Sequence, residues 1–212
     1  MGQMLQKNNS NIRKLFDDIK NNCKKYNVRL KLIEKKYIKL SDNLKVGGYF
    51  DEGSFNQKPI LACAMGNKFE KSLSILIHES CHLDQWIKKT NVWEKSNGIE
   101  LIDEWLSGKE IDKKKLDIIF KKVIELELDC EKRSVEKIKK YKIPLDVEKY
   151  KQRANAYILF YNYVKKHRKW SIPGNPPYGD KILSYAPKRW LKNYDKIPKK
   201  LEEAYDKYLN LV

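Results

Sequence analysis

Long apolar runs are missing from this chain of 212 residues. No stretch approaches the roughly 20 residues that a membrane span needs, and the opening MGQMLQKNNS has no apolar signal-peptide core. The sequence therefore reads as a soluble, cytoplasmic protein with no membrane partner. Cysteine is sparse and scattered: Cys23, Cys63, Cys81 and Cys130 form no CxxC pair. That pattern argues against a zinc ribbon or a disulfide frame and points to reduced thiols in apolar surroundings. Histidine is rarer still, with three in all, so two of them at ligand spacing carry weight. Arginine supplies only six of the 45 basic residues, the balance of a lysine-heavy protein rather than of a dedicated phosphate reader.

What is present is a globular mixture, 41% apolar and 34% charged. The formal charge is +17, yet the excess lies in residues 1–40 and 131–212, and residues 41–130 are slightly acidic. Non-specific attraction to nucleic acid through these basic flanks is the expectation. Helical spacing of Ile12, Leu15, Phe16, Ile19 and Cys23 predicts a helix over 8–26 with Ser10 at its N-cap. Alternation predicts strands at 28–33 and 59–65, separated by the turn Asp51-Glu52-Gly53-Ser54. Helices follow at about 69–89, 99–106, 112–141 (capped by Asp112 and stopped before Pro144), 146–170 and 197–210. The expected class is α+β, a small antiparallel β-meander packed on a helical core. Residues 1–145 form that core with its N-terminal helix, and 146–212 form a basic helical extension packed on it.

The informative segment is Ile75-Leu76-Ile77-His78-Glu79-Ser80-Cys81-His82, an H-E-x-x-H pattern on a predicted helix. Histidines four apart share one face, so both imidazoles can bind one Zn²⁺. Glu79 follows the first ligand, where its carboxylate can act as general base toward a metal-bound water. With three histidines in the chain, a chance match is expected about three times in a thousand. Leu73, Ile75, Leu76 and Ile77 make this helix apolar on more than one side, and polar groups buried there need partners.

A two-histidine site needs a third protein ligand and an open position. His167 lies in a basic run and reads as a solvated helix end. The long helix offers better: its apolar stripe runs Leu116, Ile119, Phe120, Val123, Cys130, Ser134, Ile138, and Glu127 falls within it. A carboxylate on a buried face calls for a cation or a metal, so Glu127 is the candidate third ligand. Glu125 and Asp129 point about 160° away, toward solvent. Glu131 is only about 40° off and can support a ligand histidine from behind.

The two elements together resemble the zincin metallopeptidases in their gluzincin arrangement. The second element, Glu127-Leu128-Asp129-Cys130-Glu131, is similar to the E-x-x-A-[DN] of ImmA/IrrE-type and HtpX-type peptidases. Cys130 stands at the alanine, and Cys81 stands where glycine or alanine is common. Small phage-encoded proteins with an H-E-x-C-H helix are a further likeness, which would make the location a host cytoplasm. The resemblance covers about residues 73–86 and 123–134 and, loosely, the strands at 46–65. It implies hydrolysis of a peptide or protein substrate with one Zn²⁺ held by His78, His82 and Glu127. The helix stripe of Tyr150, Ala154, Tyr157, Tyr161 and Val164 makes Tyr157 or Tyr161 the candidate oxyanion donor. It also implies that Ile60, Leu61, Ala62 and Cys63 pair with an extended substrate. Two alternatives stand beside it. One is a nucleic-acid-associated protein with a structural or vestigial zinc site, drawing on Lys165–Lys169 with Trp170 and on Lys188-Arg189-Trp190. The other is a zinc hydrolase of non-peptide substrates.

Overall fold

The computed structural model describes residues 2–40, 45–54, 56–172 and 174–211. They form a helix-rich α+β protein, as composition and periodicity lead one to expect. By compactness the chain divides into two units, residues 1–90 with 132–145, and residues 91–131 with 146–212. In the second unit, Ile102, Trp105, Leu116, Ile119 and Phe120 share an apolar cluster with the C-terminal helices.

The first unit opens with α1 (Gly2–Lys25). Its Ile12, Leu15, Ile19 and Cys23 are buried as their spacing requires. The helix begins earlier than expected, so Ser10 lies inside it rather than at a cap. Strands β1 (Arg29–Ile33), β2 (Ile38–Lys39), β3 (Lys45–Val46), β4 (Gly48–Asp51) and β5 (Ile60–Ala64) follow. The main sheet has the order β1-β5-β4, with β1 parallel to β5 and β4 antiparallel to it. It is therefore a mixed sheet and not the antiparallel meander read from the sequence; β2 and β3 form a separate two-stranded ladder. Its centre is β5, whose Leu61, Ala62, Cys63 and Ala64 are fully buried. A continuous apolar run suits a strand covered on both faces.

Helix α2 (Phe69–Ile87) packs on β4 and β5. It carries no side-chain cap; instead the Ser72 hydroxyl donates to the Ala64 carbonyl at 3.2 Å and ties its first turn to the end of β5. The approach of β4 is close. A Cβ added at Gly48 would come within 2.7 Å of Ile75 Cγ2, 2.8 Å of Glu79 Cγ and 2.9 Å of the Ala62 carbonyl oxygen. Only glycine fits there.

The second unit holds α3 (Asn91–Glu94), α4 (Leu101–Leu106), α6 (Val147–His167), α7 (Asp180–Leu183) and α8 (Lys199–Tyr208). Between α4 and α6 runs α5 (Lys113–Lys140), one unbroken helix whose final turns, 132–140, belong to the first unit. Asp112 caps α5 by accepting from the Lys115 amide at 3.0 Å, and Asp146 caps α6 by accepting from the amides of Glu148 and Lys149. The irregular chain between α7 and α8 is held by amide side chains of α6. Gln152 donates to the Ala186 carbonyl, fully buried Asn155 to those of Pro187 and Arg189, and Asn162 to that of Tyr194. No helix of the described residues is long and apolar enough to cross a membrane.

Candidate metal centre

Helix α2 presents His78, Glu79 and His82 as half-buried side chains, while Leu73, Leu76, Ile77, Cys81 and Leu83 between and around them are buried. Separation by four residues leaves the two imidazoles about 40° apart on the helix surface, one turn above the other. The rings lie with centroids 4.8 Å apart and nearly perpendicular planes. Their Nε2 atoms are 3.2 Å apart. His82 Nδ1 donates to Gln85 Oε1 at 2.8 Å, and Gln85 is wholly buried. That bond fixes the proton of His82 on Nδ1 and turns the Nε2 lone pair toward His78.

This arrangement fits a zinc ion. Two nitrogens at ~2.0–2.1 Å from one tetrahedral Zn²⁺ stand ~3.3–3.4 Å apart, close to the 3.2 Å seen. The buried acceptor behind His82 is the support that ligating histidines characteristically have. Without a cation, one ring must place its own proton between the two nitrogens.

Within the first unit, His78 and His82 are the metal-capable side chains that the structure brings together. In the second unit, Cys130 lies on the buried stripe of α5. Glu127 and Glu131 are on that face, 8% and 7% exposed, while Glu125 is exposed. The periodicity argument for their burial therefore holds.

Cys63 of β5 is enclosed, and burial first, then the nearby Glu79 carboxylate, pushes its thiol far up, with His78 opposing. Burial likewise raises Cys81. All four thiols are free of disulfides and buried, as expected for packing residues.

Two expected features of the site are placed differently. Ile60, Leu61, Ala62 and Cys63 cannot pair with a substrate, because β5 is bonded to β1 on one side and β4 on the other. The strand beside Glu79 that pairs only once among the described residues is β4. His167 is not a solvated helix end; it is half-buried with its ring 4.2 Å from that of Tyr163.

In the second unit, Tyr157 and Tyr161 are brought together, their hydroxyls 3.0 Å apart and their rings edge-on. Burial first, then Tyr161 and Glu127, holds Tyr157 well above the ordinary phenol range, so it keeps its proton and remains a donor. The basic run at the end of α6 is engaged within its own unit. Lys165 pairs with Asp117, Lys166 with Glu202 and Arg168 with Glu110, and Trp170 packs against Phe160 and Tyr161.

Set against known family models, curated proteins and solved structures, the chain matches none. Its site must be read from its own residues.

Proposed function

We propose that this protein is a zinc-dependent hydrolase, most closely a metallopeptidase that cleaves peptide bonds. The observation that carries the reading is the pair of Nε2 atoms 3.2 Å apart on α2, with His82 locked from behind by buried Gln85. His78 and His82 are two ligands. Glu127 is the third on the sequence pattern. A Zn²⁺ bound there would supply a Lewis acid and a water acidified to a pKa of roughly 7.

The chain's own groups divide the remaining work. Glu79, half-buried and therefore reachable by water, accepts a proton at its carboxylate and returns it to the departing amine. Its stem lies against Gly48 of β4, so an extended peptide added to the side of β4 away from β5 would run beside it. Main-chain bonds along that edge would give binding with little side-chain selectivity. Tyr157 retains a proton to donate to a developing oxyanion.

The decisive test uses purified full-length protein and an unfolded protein substrate. Zinc-loaded wild type is expected to cleave it, and Glu79→Gln is expected to keep its zinc while losing about 10²–10⁴-fold in rate. Zinc retained by a wild type that cleaves neither peptides nor simple esters would overturn the hydrolase reading and leave a structural metal.

A further inference from the structure

Lys137 brings its ammonium onto α2. It lies near the end of α5, in the part that belongs to the first unit. Its Nζ contacts Asp84 Oδ2 at 2.8 Å and donates to Ser80 Oγ at 2.8 Å and to the Ser80 carbonyl at 3.0 Å. Lys137 and Asp84 are both only 16% exposed, far from the solvated ion pairs that contribute little. Ser80 is itself buried, and its hydroxyl donates to the Ile77 carbonyl.

The placement on α2 is informative. Ser80 and Asp84 are four apart, as are His78 and His82, and each follows its histidine by two residues. At 100° per residue the two pairs occupy opposite sides of the helix. One ammonium therefore grips, across a full turn, the back of the turn that presents both imidazoles at the front. The bond to the Ser80 carbonyl adds an acceptor interaction in mid-helix, which fixes the helix along its axis as well as around it.

We infer that Lys137 is a positioning residue for the metal centre: it sets the rotation and height of α2, and so the direction of both imidazoles, relative to α5. The inference rests on the metal reading proposed above. Lys137 touches no substrate and takes no part in proton transfer.

The test is zinc affinity measured by competition with a chromophoric chelator, on full-length protein checked for folding by circular dichroism. His82→Ala serves as the control for the metal reading itself. Wild type is expected to take up zinc and His82→Ala to fail. Lys137→Met is expected to fold and to bind zinc about tenfold more weakly. Lys137→Arg, which keeps the charge, is expected to recover most of the loss. With Co²⁺ as the probe, Lys137→Met should also show a shifted ligand-field band, which a loss of stability alone does not produce. A folded Lys137→Met with wild-type zinc affinity and an unchanged cobalt spectrum overturns the inference and leaves the metal reading intact. If Lys137→Met does not fold, Asp84→Asn decides by the same measurements, and unchanged affinity there overturns it. A wild type that takes up no zinc removes the metal reading and this inference with it.

Discussion

Replacing Gly48 with alanine tests the contact between the sheet and the histidine-bearing helix most sharply. The added methyl would stand 2.7 Å from Ile75 Cγ2, 2.8 Å from Glu79 Cγ and 2.9 Å from the Ala62 carbonyl oxygen. These contacts fall about 0.5–0.8 Å inside ordinary van der Waals separation. Ile75 and Glu79 can swing, but Ala62 is backbone on the central strand, paired with Tyr49 and with Lys31. The strain must therefore open β4 from α2 or displace Glu79. Overpacking of this kind costs about 1–3 kcal/mol, which for a chain of this size lowers the melting temperature by roughly 2–4 °C per kcal/mol. Gly47→Ala is the matched control: its methyl meets only the Ile75 side chain, nearest at Cδ1, 2.9 Å away, and a rotamer change relieves it. Differential scanning calorimetry of the two variants should show the larger fall for Gly48→Ala, together with slower hydrolysis at unchanged zinc affinity. Equal melting temperatures for Gly48→Ala and wild type would refute the close packing of β4 on Glu79.

Gln85→Leu removes the buried acceptor of His82 Nδ1 and should weaken zinc binding by about 10–100-fold, read by chelator competition. Asn155→Ala deletes the donor to the Pro187 and Arg189 carbonyls and the acceptor of the Tyr194 hydroxyl. Each buried partner left unmet costs about 1–3 kcal/mol, so denaturant unfolding should show a large loss at this one position. Stability should also fall in alkali. Burial raises the Cys23 thiol from 9.0 to about 11, with Lys137 opposing, so the folded state holds its proton where the unfolded state has lost it. This contribution is complete below pH 9 and is lost as pH climbs toward 11. The raised phenols of Tyr157 and Tyr205 act in the same direction. Melting temperatures between pH 8 and 11, followed with tyrosinate absorbance, check this; a flat profile would contradict the burial of these groups.

Local pattern carried much of this molecule. The histidines of α2, the Asp112 cap, the buried stripe of α5 from Leu116 to Ile138 and the burial of Glu127 all follow from spacing along a single helix. What lay beyond the sequence depends on partners distant in the chain. Nothing in Arg29–Ile33 or Ile60–Ala64 announces that these strands pair directly and in parallel, although β4 lies between them in sequence. The same holds for the substrate-facing edge: β5 looks like a strand ahead of the active helix, and only its pairing on both sides disqualifies it. Lys137 reads as one of many surface lysines until α5 is laid on Ser80 and Asp84, 57 and 53 positions earlier. Gln85 gives no signal either, because a glutamine at a helical core position is informative only once its acceptor is seen to face His82. The counter-ions of the basic run at 165–168, namely Asp117, Glu202 and Glu110, are likewise far away in sequence.

Metal content measured by mass spectrometry on the native protein is the most direct test of the account. It predicts about one zinc per chain, absent from His78→Ala and from His82→Ala and retained in Glu79→Gln. A wild-type chain that carries no zinc and takes up none at micromolar free metal, or a His78→Ala chain that keeps a full equivalent, would contradict it.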